Sequence, residues 1–188
     1  MKLMRLLTIA ALLGFAGCVA SLHEFYTEQT LVFDPALAGV WRQQDNDYRW
    51  QFVPNEEKQA YTLTITEKED TQSKLIVHLF EIDGRRFLNL HPARDTHLET
   101  GDWTKAHLIA AHHVLKVDRD GPNLLLAAMN PETIERILKE KPNIVKHERL
   151  DDRFVLTDSP KGLQAFLKAG PDIDNFFTEP GILEPITP

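Results

Sequence analysis

Between Val40 and Met129 the chain is a succession of short runs that alternate apolar and polar residues and are broken by turn-forming ones. This pattern constrains the fold more than any other feature. Ala60–Thr66 shows it best: Tyr61, Leu63 and Ile65 fall on one face, Thr62, Thr64 and Thr66 on the other, which is the period of a half-buried strand. Tyr48–Val53 alternates likewise, with Trp50 and Phe52 on its apolar face. Val40–Gln43, Lys74–Ile82, Arg86–Leu90, Leu108–Asp118 and Asn123–Met129 complete the series, and a further strand is expected at Arg153–Thr157. Asp83-Gly84 between two of these runs is a strong hairpin signal.

Two amphipathic helices come after them, near 131–141 and 160–169. Each has apolar residues three and four apart, a proline in its first turn and a proline past its end, with Asn130 and Ser159 at the cap positions. Strands at hairpin spacing, then helices, read as a mainly β, α+β fold: an antiparallel barrel of seven to eight strands with two short C-terminal helices. The alternative is a bent open sheet covered on one face by the helices. One domain is expected over 34–177, and the Pro- and Gly-rich segment 178–188 reads as a loose tail.

The N-terminus carries a different message. Lys2 and Arg5 precede a short apolar run, Leu6 to Ala16, well short of the about 20 residues that a membrane-spanning helix needs. Small residues then lead to Cys18, the only cysteine. A charged start, a short apolar stretch and small residues make residues 1–17 a secretory signal peptide. Phe15-Ala16-Gly17-Cys18 resembles the lipobox of bacterial lipoproteins, although leucine is commoner where Phe15 stands. The resemblance implies that Cys18 is acylated, that the chain is cut before it, and that the protein is anchored in the bacterial cell envelope. Val19 in place of an aspartate implies outer-membrane rather than inner-membrane retention. Residues 18–33 would then be the tether. A single cysteine allows no internal disulfide, so packing alone must hold the fold.

With 28 acidic against 21 basic residues, the chain has a formal net charge of −7, and losing Lys2 and Arg5 makes it more acidic. That balance speaks against a nucleic-acid partner and against docking on anionic lipid by charge.

Asp34-Pro35-Ala36-Leu37-Ala38 reads as one capped helical turn, and Gly39-Val40-Trp41 comes directly after it. This arrangement resembles the opening signature of lipocalins and related calycin barrels. The resemblance implies that the turn closes one barrel end, that Trp41 packs across the floor, and that a late arginine, Arg153 or else Arg149, covers it. It also implies a cavity for an apolar ligand. Inward candidates are Trp50, Phe52, Tyr61, Leu63, Ile65, Leu115 and Val117, and an eight-stranded barrel of such residues is either filled by them or holds one small ligand.

Catalytic chemistry finds little support. Ser21, Ser73 and Ser159 lie in a tether, a turn and a cap, and none sits in a nucleophile elbow. Glu99, Asp102, Asp151 and Asp152 are not placed about a shared substrate, and Asp151-Asp152 reads as a turn. His91, His97, His107, His112 and His113 crowd one region, but their spacing matches no metal motif, and His112 and His113 would point to opposite faces of a strand. No cofactor or metal is expected. Residues 91–107 form a long polar connection containing Trp103, which either contacts a partner or folds back over the barrel mouth. Three roles result: a lipid-anchored protein binding a small apolar or amphipathic ligand, an envelope protein–protein interaction module with a solid barrel, and, less favoured, a hydrolase.

Overall fold

The computed structural model describes residues 19–93, 102–105, 108–151 and 153–186. Eight antiparallel strands close into a barrel: β2 (Gly39–Gln43), β3 (Arg49–Asn55), β4 (Ala60–Thr66), β5 (Gln72–Ile82), β6 (Arg85–Pro92), β7 (His113–Asp120), β8 (Asn123–Ala128) and β11 (Gly181–Pro185). Beside it lies a second sheet of three short strands, β1 (Ala20–Ser21), β9 (His147–Leu150) and β10 (Arg153–Leu156). The helices are α1 (Asp102–Lys105), α2 (Pro131–Glu140) and α3 (Pro160–Ala169).

Seven barrel strands fall where alternation and turns place them, except that β7 begins at His113 and the expected Leu108–Ala111 part is not strand. The hairpin at Asp83-Gly84 has positive φ at both central residues (50° and 74°), which is why this dipeptide suits it. Asn130 Oδ1 accepts from the backbone N–H groups of Glu132 and Thr133, and Ser159 Oγ accepts from that of Gly162, so both helix caps form.

The eighth strand corrects the expectation of a loose tail over 178–188. Gly181–Pro185 pairs with β8 on one side and β2 on the other, with Leu183 opposite both Leu124 and Gln43. Its prolines stand next to the strand and at its last residue, where a missing N–H costs least, so a tail-like composition conceals a strand. The strand expected at Arg153–Thr157 does form, but in the small sheet and not in the barrel.

A second correction concerns 18–33. From Val19 onward this segment is packed against the fold and does not act as a tether. Ser21 and Phe25 are fully buried, β1 runs parallel to β10, and Ser21 exchanges two backbone hydrogen bonds with His112 (2.9 and 2.8 Å).

There are two cores. Trp41, Trp50, Phe52, Tyr61, Leu63, Leu79, Leu88 and Leu124 meet inside the barrel. Outside it, Phe80, Phe87, Val114 and Met129 on the wall meet Ile134, Ile137, Leu163, Phe166, Phe25 and Phe176. The β5–β8 wall therefore carries apolar side chains on both faces, whereas β3 turns Arg49, Gln51 and Val53 to solvent.

Candidate functional site: the barrel mouth

The floor of the barrel is sealed. Asp34 caps a short 3-10 turn, Pro35–Leu37, by accepting from the Ala36 N–H at 2.9 Å. Gly39 comes next with φ of +133°, a conformation that glycine reaches without strain, and this turns the chain into β2. Trp41 Nε1 then donates to the Leu37 carbonyl at 3.0 Å. The arginine over Trp41 is Arg119, near the end of β7, with its guanidinium carbon 6.0 Å from the ring centre and Nη2 donating to the Ala36 carbonyl at 3.0 Å. Arg153 and Arg149 do not take this place. They belong to the outer sheet, where Arg149 lies 5.8 Å from the Phe154 ring. A cavity of about 250 Å³ remains at this end, but charged groups hem it in, and Arg86 is held by Asp34 at 2.9 Å and Glu81 at 3.3 Å.

The opposite end is the mouth, formed where β4, β6 and β8 end and β5 and β7 begin. It holds a cavity of about 420 Å³. Ile65, Leu75, Leu90, Leu115 and Ala128 form its barrel side, and Val19 and Met129 complete the apolar lining from outside. Glu67, Ser73, His91 and His113 give it a few polar groups. An apolar hollow with a small number of polar side chains is the usual make-up of a small-molecule site.

The choice between a filled and a hollow barrel thus resolves along its axis. Trp41, Phe52, Tyr61, Leu63 and Val117 pack the floor and middle, Trp50 lies opposite Ile65 towards the mouth, and none is more than 6% exposed. Trp50 Nε1 is satisfied there by Gln43 Oε1 at 3.3 Å, a polar pair enclosed by the core. Of the inward candidates, Ile65 and Leu115 line the mouth cavity. Leu75, Leu90 and Ala128 are findable as inward positions of their strands. Val19 carries no sequence signal at all, since only the pairing of Ala20 and Ser21 after it brings it to the rim.

The histidines divide as the strand geometry requires. His113 lines the cavity from the barrel side, His112 and His78 lie on the outer wall, and His91 stands beside them at the cavity rim. His91 is in β6 and not in a loop, and its ring is 6.2 Å from that of His78 and 5.1 Å from that of His112. Tyr26 stacks on His78 at 4.6 Å, and Asn89 joins Nδ2 to His112 Nδ1 at 3.1 Å while its Oδ1 accepts from the Phe25 N–H. Burial first, then the neighbouring imidazoles, pushes His78 and His112 down to about 4, against a small opposing pull from Glu24. Burial also lowers His113, opposed by a bond with the Val19 backbone. Among the described residues no group of three or more His, Cys, Asp or Glu could hold a metal ion.

The remaining sites fall apart spatially or lie outside the described residues. Cys18, His97, His107, Glu99 and Asp152 are in the latter group. Asp151 sits in the turn between β9 and β10, where its carbonyl accepts from Arg149 Nε at 3.2 Å. Trp103, on α1, is 85% exposed and does not cover the mouth. No described helix is long and apolar enough to cross a membrane. No protein-family model matches the chain, and neither a curated protein nor a solved structure matches it.

Proposed function

We propose that this chain is a lipid-anchored protein of the bacterial cell envelope, held through Cys18 in the outer membrane, whose barrel takes a small apolar or amphipathic ligand at its mouth. The observation that carries the reading is the cavity of about 420 Å³ itself. Its volume lies in the roughly 300–1,000 Å³ range of small-molecule sites. The aromatic residues below it are buried, and a cavity of this size suits a single chain or a small ring system. A polar head would meet Glu67, Ser73 and His91 at the rim.

A second reading rests on different residues. Trp103, Leu108 and Ile109 are 85%, 55% and 77% exposed, and large apolar side chains in solvent suit contact with another envelope protein.

Native mass spectrometry of the full chain purified from a bacterial envelope separates the two. Bound mass that is lost when Ala128→Phe fills the mouth supports the ligand site. An empty barrel in repeated preparations, with an envelope partner captured by the parent chain and lost on Trp103→Ala, replaces it with the interaction module.

A further inference from the structure

The residue that follows Cys18 lies at the cavity. Val19, the residue covalently joined to Cys18, is 8% exposed and lines the mouth. The next two residues fix it there: Ala20 lies opposite Val155, Ser21 lies opposite Leu156, and Ser21 makes its paired backbone bonds with His112. Nothing between Val19 and the barrel can act as a spacer. A lipid on Cys18 therefore leaves the fold at the cavity rim and not at its floor.

An exposed apolar edge lies beside the same rim. Leu108 and Ile109 come just before Ala111, which lines the cavity, and both are open to solvent. Charge does not supply the membrane contact, since the chain carries a net −7. Apolar side chains next to a covalent lipid add the second signal that steadies an anchored protein on a bilayer.

We propose that the barrel stands on the bilayer mouth first, and that its cavity receives one acyl chain of a lipid from the leaflet carrying the anchor. This deepens the reading above and rests on acylation of Cys18. The apolar lining by Leu75, Leu90 and Leu115 fits a hydrocarbon chain, and the polar rim meets the level of the head groups. A chain can then move between leaflet and cavity without crossing water.

Photocrosslinking tests the arrangement. The full acylated chain is reconstituted in phosphatidylcholine vesicles containing a phosphatidylcholine with a diazirine on one acyl chain, irradiated, and mapped by peptide mass spectrometry. Adducts are expected at Leu75, Leu90, Leu115 and Ile109, and none at Lys58, which is exposed in the floor-side turn. Ala128→Phe should remove the cavity adducts and keep those at Ile109. Adducts at Lys58, or none at the mouth, overturn the orientation. A parallel sample with the diazirine on the Cys18 lipid alone overturns the leaflet source if it labels the cavity. The mass of the Cys18 peptide reports the anchor separately: an unacylated cysteine overturns both readings, whereas an acylated one with adducts elsewhere overturns this one alone.

Discussion

The Tyr61 hydroxyl is held by both backbone groups of Asp34, accepting from its N–H at 2.9 Å and donating to its C=O at 2.9 Å. Phe33 stacks on the same ring at 5.2 Å. One side chain of β4 thereby fixes the segment that seals the floor. Tyr61→Phe removes both bonds and leaves two main-chain groups without partners, at a cost of about 1–3 kcal/mol. Urea denaturation should show a lower midpoint with unchanged slope and an unchanged far-ultraviolet spectrum. An unshifted midpoint would mean that water replaces the hydroxyl.

Gly170, where α3 ends, has helical φ, so alanine there would be tolerated by the backbone. Space decides otherwise. A Cβ would lie 2.7 Å from the ring of Phe176, which is buried against Phe166 and Phe177. Overpacking costs about 1–3 kcal/mol, more than the at most about 1 kcal/mol that alanine gains in helix propensity. Gly170→Ala should lower the melting temperature by several degrees, at about 2–4 °C per kcal/mol for a domain of this size. Adding Phe176→Leu to it should recover part of the loss, which separates a clash from a backbone effect.

Ending the chain after Pro180 removes β11. This leaves β2 and β8 with unpaired edges, a template for association. The shortened protein should elute as aggregates on size exclusion and melt without a cooperative transition. A monomeric, cooperatively melting product would show that the barrel closes without its last strand.

Acid should destabilise the fold through His78 and His112. Unfolded histidine titrates near about 6.5, whereas these two are held at about 4. Between those values the unfolded chain binds more protons, so stability falls as pH falls. Their contribution is complete above about 6.5 and is lost on the way down through 4. Both rings are partly exposed, which screens the effect, so the comparison with a variant is the measure. Melting temperature measured from about pH 7.5 to about pH 4 should fall less steeply in the His78→Gln/His112→Gln protein, and parallel curves would exclude these two residues.

What the sequence discloses depends on how local the cause is. The runs from Val40 to Met129 are readable because alternation and turn chemistry act within a few residues. Capping by Asp34, Asn130 and Ser159 is readable for the same reason. The strand Gly181–Pro185 is not, because its pairing with Gln43 and Leu124 joins distant parts of the chain and its prolines imitate a tail. Arg119 over Trp41 escapes notice because strand order, and not position late in the chain, puts it there. The histidine row needs the register that sets His78 opposite Asn89 and His91 opposite Ile76. As for the cavity, Ile65 and Leu115 are visible as inward residues, but Val19 reaches it only through β1.

The strand β11 also dictates an order of events. Because β2 and β8 are joined only through it, no barrel can close until residues 181–185 are available. The chain must bring together positions some 140 apart as its last ring-closing act, and contacts of such separation form slowly. The barrel therefore stays open until residues 181–185 have been made. Until then β2 and β8 keep open edges, whereas the small sheet of β1, β9 and β10 needs only residues up to Leu156 and can form before the ring closes.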